Sequence, residues 1–557
     1  MTPRRAEVTE RHNWLRWRQW LPTFPIPAMD CNGVSVSQAF WNMVTSREPI
    51  ASPQTSRQFR VRSGHKPRVL FVHPQGFNFV PGQADITRFA NIMPPMGVAW
   101  MSAYLERAGY ETCVLDGYAI PRSVPDMAKA AIELAPDIVA FSVTTSGFPE
   151  AYDIATAINA TQPELPTVFG GVHVSSMRQA LLERFPLIDY AVTGEGEQSL
   201  LALLERGMDA PESVPSLLYR ARGNVQESLA SIEPIALDAL PFPAYERLPG
   251  FPNTYHLAIF NYGKAPATST VTSRGCPYSC SYCDRSVYGK SFRFNSAEYV
   301  YEHMRYLRER FGIRHVTFYD DLFTYDRERV TALCVKLINQ PLGMTFACDV
   351  RVNHVDQELV HLMKEAGCWQ MAFGIESGDP VILRKHRRDP KLSRVGEVAS
   401  MIRKEGIKVK GLFIMGLPGE DEAAIRRTME LAVSLPLDEA NLAKFTPFPG
   451  APLFKTVREH GEFNEDWRLM NCFNFVFVPH GLTRERLEEL YSEFIINFYH
   501  RYRIVWFYFT MLWKSPHSVL TFLRHAPYFM YFGLSMWIRA KLAKRQPKAG
   551  FPSNATG

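Results

Sequence analysis

The sequence predicts an α/β protein: an N-terminal doubly wound parallel sheet, a partial (β/α)6 barrel, and a helical C-terminal extension. Three observations predict it. Apolar strand-like runs alternate with amphipathic helical segments over residues 66–204, and do so again over 266–470. A Pro- and aromatic-rich stretch at 205–265, "LDALPFPAYERLPGFPNTYH" within it, reads as a packed linker between the two series. From residue 471 onward the chain turns aromatic and basic and loses the strand pattern. At 557 residues the chain exceeds one ordinary core, so several domains are expected.

The first series opens with "RVLFVHP" (68–74), an uninterrupted apolar run of the kind a strand buried on both faces requires. A helix over 96–109, a strand over 111–117 and a helix over 124–136 follow. Then come a strand over 137–145, a helix over 150–164, a strand over 166–173, a helix over 176–186 and a strand over 188–197. Such sheets bind ligands at the carboxyl ends of their strands. Those ends carry His73-Pro74-Gln75-Gly76, Ser142 with Thr144 and Thr145, Gly170-Gly171 with His173, and Gly194-Glu195-Gly196-Glu197. Glycine and small hydroxyl residues there let the backbone approach a large flat or phosphate-bearing ligand. The second series has six strand-like segments, "ATSTVTSRG", "HVTFYDD", "MTFACDVR", "WQMAFGIESG", "KVKGLFIMGLPG" and "EANLAKFTPFPG", with helices such as "SAEYVYEHMRYLRERFG" between them. A barrel of such units places its function at the carboxyl ends of its strands. Residues 1–65 are an N-terminal extension in which no chemistry is recognisable.

An apolar content of 46% against 21% charged residues excludes a disordered chain. Nine cysteines in 557 residues are no disulfide framework, and the first twenty residues interleave Arg and Trp without an apolar leader core. A reducing cytoplasm is the expected compartment. The net charge of +6 is unevenly placed: from Arg501 on there are nine Lys or Arg and no Asp or Glu, so the chain before it nets −3. The same region carries "RIVWFYFTMLW" and "APYFMYFGLSMWIRAKLAKR", apolar runs short of the roughly 20 residues a bilayer span needs. Aromatic bodies with basic flanks suit a helix lying in a membrane interface, so peripheral association with the inner membrane surface is expected; the alternative is a cap on the catalytic core with a solvated tail. Charge alone would permit nucleic-acid binding, but no other feature supports it and no nucleic-acid partner is expected.

The chemistry is concentrated in "SRGCPYSCSYCDRS" (273–286), which follows the first strand of the second series. Cys276, Cys280 and Cys283 are one ligand short of a structural zinc or a complete iron–sulfur site, and no second cysteine pair or His-x₃-His partner exists to complete zinc. The spacing also differs from the ferredoxin type. Cys113, Cys334, Cys348 and Cys368 sit in apolar contexts and read as core thiols, whereas Cys31 and Cys472 stay open.

Cys-x₃-Cys-x₂-Cys after the first strand, with Tyr282 before the last cysteine, resembles the radical S-adenosylmethionine (SAM) enzymes. The resemblance implies a [4Fe–4S] cluster held by Cys276, Cys280 and Cys283, whose open iron takes the amino and carboxylate groups of SAM. An external electron donor is implied with it. "FYDDLFT", "FGIESG", "FIMGLPGE" and "TPFPGAPLF" resemble the family's SAM-lining segments. They make Asp320 or Asp321, Arg351, Glu376 and Gly416 candidates for contact with SAM. The first series is similar to the flavodoxin-like cobalamin-binding domain that precedes the barrel in one large subgroup, most specifically in "VFGGVH…DYAVTGEGE". One departure stands out: where some cobalamin domains carry Asp-x-His-x-x-Gly after the first strand, this chain has "HPQGF", so no protein histidine is expected on cobalt. The resemblance implies either methyl transfer from methylcobalamin to an unactivated carbon, or the oxidative ring closure of the oxygen-independent magnesium-protoporphyrin monomethyl ester cyclase. A lipid or tetrapyrrole substrate suits the greasy tail. A non-catalytic cobalamin and iron–sulfur sensor is the remaining alternative.

Overall fold

The computed structural model describes residues 55–57, 66–76, 91–206, 210–231, 233–387, 392–520, 522, 523 and 526. The expected N-terminal extension and the segment 526–545 lie almost wholly outside these. Residues 55–57 and 526 are the exceptions. Arg57 pairs with the buried Asp189 at 2.8 Å, and the Ser56 hydroxyl donates to the Asp189 carbonyl.

The first series folds as β1 (Val69–His73), α1 (Met96–Arg107), β2 (Thr112–Asp116), α2 (Val124–Glu133), β3 (Ile138–Ser142), α3 (Phe148–Thr161) and β4 (Thr167–Gly170). Two short helices, α4 (Val172–Met177) and α5 (Gln179–Arg184), then precede β5 (Tyr190–Val192) and α6 (Glu197–Arg206). Strands β1 to β5 pair in parallel in the order β2-β1-β3-β4-β5. Alternate residues of β1 enter opposite cores, Leu70 and Val72 on one face and Val69 and Phe71 on the other, which explains the unbroken apolar run. The stretch expected to be a linker begins differently. Strands β6 (Leu217–Ala221) and β7 (Asn224–Glu227) form a hairpin that adds antiparallel to β5 and extends the sheet to seven strands. The alternation in "SLLYRARGNVQES" is too short to signal this, and the Arg222-Gly223 turn takes positive φ at both residues.

The second series gives β8 (Ala267–Thr270), a small pair of β9 (Ser273–Arg274) and β10 (Arg293–Phe294), α7 (Ala297–Phe311), β11 (His315–Phe318), α8 (Arg327–Asn339), β12 (Thr345–Val350) and α9 (Gln357–Glu365). It continues with β13 (Cys368–Glu376), α10 (Pro380–His386), α11 (Leu392–Lys404), β14 (Lys408–Met415), α12 (Glu422–Ser434) and β15 (Glu439–Lys444). The six long strands are all parallel and follow chain order, β8-β11-β12-β13-β14-β15, the arrangement of a half-barrel. Five of these helices start on side-chain caps: Ser296, Asp326, Asp356, Asp379 and Asp421 each accept a backbone N–H in the first turn. Each such cap is worth about 1 kcal/mol.

Beyond the half-barrel, β16 (Gly461–Phe463) pairs with β17 (Phe477–Pro479), and two helices follow, α13 (Arg484–Tyr499) and α14 (Tyr502–Lys514). The segment between β16 and β17 reaches back into the first domain, where Trp467 packs edge-on against Phe148 and His173. Among the described residues no helix is long and apolar enough to cross a membrane.

Candidate functional site

The cysteine loop is built from the turn that precedes it. Asp320, at the end of β11, accepts from the Thr272 hydroxyl at 2.5 Å, from the Ser273 N–H at 2.9 Å and from the Thr272 N–H. The buried Arg329 guanidinium lies 3.9 Å from the same carboxylate. Gly275 then turns the chain at φ 90°, and a Cβ there would sit 2.0 Å from the Ser291 carbonyl oxygen. Only glycine fits. Cys276, Cys280 and Cys283 follow, all three unpaired and half-buried. Burial raises the Cys276 thiol, and it pushes Cys283 up to about 12 with the help of Asp321 and the two neighbouring thiols. Three thiols beside a carboxylate form a donor set that calls for positive charge. Among the described residues no three His, Cys, Asp or Glu converge as a single metal ion would need, whereas a four-iron cube spaces its thiolates more widely.

Ser281, inside the loop, exchanges two hydrogen bonds with His386 at the end of α10; the other ring nitrogen of His386 meets the Pro418 carbonyl at 2.8 Å. His386 thus ties the cysteine loop to the Gly416-Leu417-Pro418-Gly419 turn. No sequence pattern marks this histidine. Gly416 itself has φ 89°, and its N–H donates to Glu420 at 2.7 Å. Glu376 closes β13 in the left-handed region, φ 67°, which costs a non-glycine residue roughly 1–2 kcal/mol. Burial raises its carboxyl above the usual range, while Arg387, Tyr282 and Arg351 oppose that rise. Arg351 lies 3.5 Å above the centre of the Tyr278 ring, inside the cysteine motif, and its Nε has no partner among the described residues. The candidates on the barrel therefore divide. Arg351 and Glu376 gather around the loop's Tyr278 and Tyr282. Asp321 and Asp320 part company: the first lines a cavity, the second shapes the turn.

That cavity, about 400 Å³, lies between the two sheets. From the first domain it receives Ser142, Gly170, Gly171, and the run Gly194, Glu195, Gly196 and Glu197, all at strand ends. From the barrel it receives Cys276, Cys283 and Asp321. Gly171 is needed for its conformation, φ 101°, since a Cβ would meet the Val143 carbonyl oxygen at 2.6 Å. Three expected residues lie elsewhere. The Thr144 hydroxyl accepts from the Gly147 N–H ahead of α3, and Thr145 is buried beside His173, 3.3 Å from its Nδ1. His173 itself is wholly buried among Phe148 and Trp467, and burial lowers its pKa to about 3. This neutral ring faces the core, not the cavity, so the expectation that His173 lies near the cofactor is not met by its placement.

The residue that the sequence did not announce is Arg274, immediately before Gly275. Its buried guanidinium bonds Glu195 at 2.5 Å and Glu197 at 2.6 Å. Arg293 reaches the other oxygen of Glu195. Ser176 adds a second bridge, 2.9 Å from Asp284 in the cysteine loop. The strand-end glutamates of one domain are thereby bonded to the root of the cysteine loop in the other.

The radical SAM superfamily model matches residues 270–432, and the B12 binding domain model matches residues 82–204. An uncharacterized methyltransferase of Pyrococcus horikoshii is 28% identical over 444 residues, covering 79% of this chain and 94% of that one. The anaerobic magnesium-protoporphyrin IX monomethyl ester cyclase of Rubrivivax gelatinosus is 26% identical over 447 residues, with 77% and 78% covered. Among solved structures, the radical SAM methyltransferase TsrM of Kitasatospora setae superposes with a TM-score of 0.57 at 22% identity, covering 71% of this chain and 76% of its own, a likeness of fold. The chain belongs to the radical SAM superfamily and carries a B12 binding domain ahead of its half-barrel. It is an enzyme of that class, and the sensor reading falls away.

Proposed function

We propose that this enzyme is a cobalamin-dependent radical SAM methyltransferase, which abstracts hydrogen from an unactivated carbon of a hydrophobic small molecule and places a methyl group there. The observation that carries the reading is the shared cavity: Cys276 and Cys283 enter it from one side and the glycine-rich strand ends of the B12 domain from the other. When bound, the [4Fe–4S] cluster and SAM supply one-electron hydrogen abstraction, and the cobalamin supplies the methyl group.

The chain's own residues have separable tasks. Cys276, Cys280 and Cys283 would hold the cluster through three thiolates, one fewer than a complete set, following the rule that a catalytic metal keeps an open position. Asp321, Arg351 and Glu376 would meet the polar groups of SAM, and the turn at Gly416 would let the backbone pass close to adenosine. Ser142, Gly170, Gly171, Gly194 and Gly196 receive the corrin without side-chain bulk. Phe71, Met96, Trp100 and Leu200 exclude water from the cavity and suit a lipid or tetrapyrrole. A relative that acts on magnesium-protoporphyrin supports that substrate class and also a second reading, an oxidative cyclase.

The test is anaerobic reconstitution with iron, sulfide and cobalamin, followed by reduction in the presence of SAM and candidate substrates. Methyl transfer yields S-adenosylhomocysteine together with 5′-deoxyadenosine; 5′-deoxyadenosine alone would favour the cyclase. Cys276→Ala abolishes cleavage of SAM while cobalamin absorbance on the protein persists. Cleavage retained by that variant would remove the cluster from this loop.

A further inference from the structure

Helix α14 (Tyr502–Lys514) is held against the half-barrel at both ends, yet one of its faces is apolar and open. The Arg501 guanidinium stacks on Phe498, 4.0 Å from the ring centre, and donates to the Val433 carbonyl at 2.6 Å. Arg503 donates to the Leu437 carbonyl. After the helix, the Ser515 hydroxyl donates to the Tyr262 carbonyl at 3.1 Å, and the Phe260 N–H donates to the Ser518 hydroxyl at 3.0 Å. Ile504 and Met511 are buried against the domain, and Tyr508 packs on Phe260. The helix is therefore a fixed part of the molecule.

Its other face runs Tyr502, Val505, Trp506, Phe509 and Trp513. The spacing of three, one, three and four residues keeps all five on one stripe of an α-helix. Tyr502 is 81% exposed, Trp506 54%, Phe509 48% and Trp513 69%. The rings touch in series, Trp506 on Phe509 at 5.3 Å and Phe509 on Trp513 at 5.1 Å between centroids. Leu520 and Leu523, beyond the helix, are exposed as well. A contiguous apolar patch of this kind marks an interaction surface, where scattered exposed residues would not.

Charge identifies the occupant. From Arg501 to the end of the chain there are nine basic residues and no acidic one. Arg501 and Arg503, at the head of the stripe, donate to backbone carbonyls, and among the described residues no carboxylate is bonded to either, Asp438 acting on them only at longer range. A second copy docked on the same face would bring two acid-free basic segments together and be repelled. An anionic bilayer surface offers the complement, an apolar layer for the rings and negative headgroups for the cations. Tryptophan and tyrosine are the side chains enriched at that depth.

We infer that the Tyr502–Trp513 stripe of α14 is a docking surface for anionic lipid membranes, on which the enzyme lies peripherally. The inference goes beyond methyl transfer and does not depend on it. The full chain is tested by co-sedimentation with vesicles of phosphatidylcholine alone and of phosphatidylcholine mixed with phosphatidylglycerol. Wild type is expected to bind the anionic vesicles at least roughly tenfold more tightly than the neutral ones, and to lose most of that preference in high salt. Trp506→Ser combined with Phe509→Ser and Trp513→Ser is expected to weaken anionic binding at least roughly tenfold with an unchanged thermal midpoint, since all three side chains are exposed. The single Trp506→Ser gives a smaller loss in the same direction and stands in if the triple variant is unstable. Equal binding by wild type and variants overturns the inference and moves any membrane contact to the residues after the helix. So does a wild type that ignores anionic vesicles, or one that dimerises through this face by light scattering without binding them.

Discussion

Glu420 shows what a single buried carboxyl does for the site. It closes the turn after β14 by accepting from the Gly416 N–H at 2.7 Å and the Leu417 N–H at 3.0 Å. Burial raises its pKa to about 7, although those two N–H groups pull the other way. The unfolded side chain releases its proton near the ordinary value of 4.5. Between the two values the folded protein holds more protons than the unfolded chain, so Glu420 makes stability fall as pH rises through that window. The fall is on the order of 3 kcal/mol over the whole window. Glu420→Gln keeps an acceptor for the same N–H groups and removes the titration. Urea midpoints of wild type and variant, measured on both sides of the window, should diverge in the variant's favour as pH rises. Parallel pH profiles would show that the carboxyl is ionised throughout.

At the scale of elements, strand and helix alternation was legible because β1 to β5 and the six half-barrel strands are parallel and largely buried. The strands therefore appear as short apolar runs and the helices as amphipathic ones. The β6–β7 hairpin was not legible, because its outer strand is half exposed and carries Asn, Gln and Glu where a strand pattern would show apolar residues. The cysteine motif was legible from its spacing together with its family resemblance, whereas the need for glycine at 275 became visible only in the turn. What supports the motif was hidden, because Asp320, His386 and Arg274 act over up to 48, 105 and up to 79 residues of separation. Periodicity carries no record of such pairs. Separating Asp320 from Asp321 likewise required the turn to be seen. The loop's dependence on Gly275 is testable: Gly275→Ala adds a left-handed strain of about 1–2 kcal/mol to a 2.0 Å clash with the Ser291 carbonyl. Reconstituted Gly275→Ala should keep its far-ultraviolet dichroism and bind severalfold less iron per chain. A full complement of iron would mean that the loop reaches its shape without that turn.

The whole molecule depends on how two separately folded sheets are held at a fixed spacing. Two contacts of different kind stand out among those that do this, beside the Ser176–Asp284 bridge and the Tyr255–Asp116 hydrogen bond. Trp467, which follows the half-barrel, is inserted among Phe148, His173 and Phe185 of the first domain. Arg274 joins Glu195 and Glu197 to the root of the cysteine loop. The first contact supplies apolar burial; the second is directional and adjoins both halves of the cavity. Removing both carboxylates while Arg274 remains leaves a buried guanidinium without its counter-charges, a loss of about 3–5 kcal/mol. The cysteine loop keeps its own anchors, since Asp320 and His386 belong to the barrel. Glu195→Gln combined with Glu197→Gln should therefore retain the cluster and much of the cleavage of SAM to 5′-deoxyadenosine. Methyl transfer, which needs the cobalamin side at the right distance, should suffer more, and the S-adenosylhomocysteine formed per 5′-deoxyadenosine should fall severalfold. Restoring the apolar balance with Arg274→Met in the same background should recover stability but not that ratio. If the ratio is unchanged in the double variant, the spacing is set by Trp467 and its neighbours and the ion triad contributes stability alone.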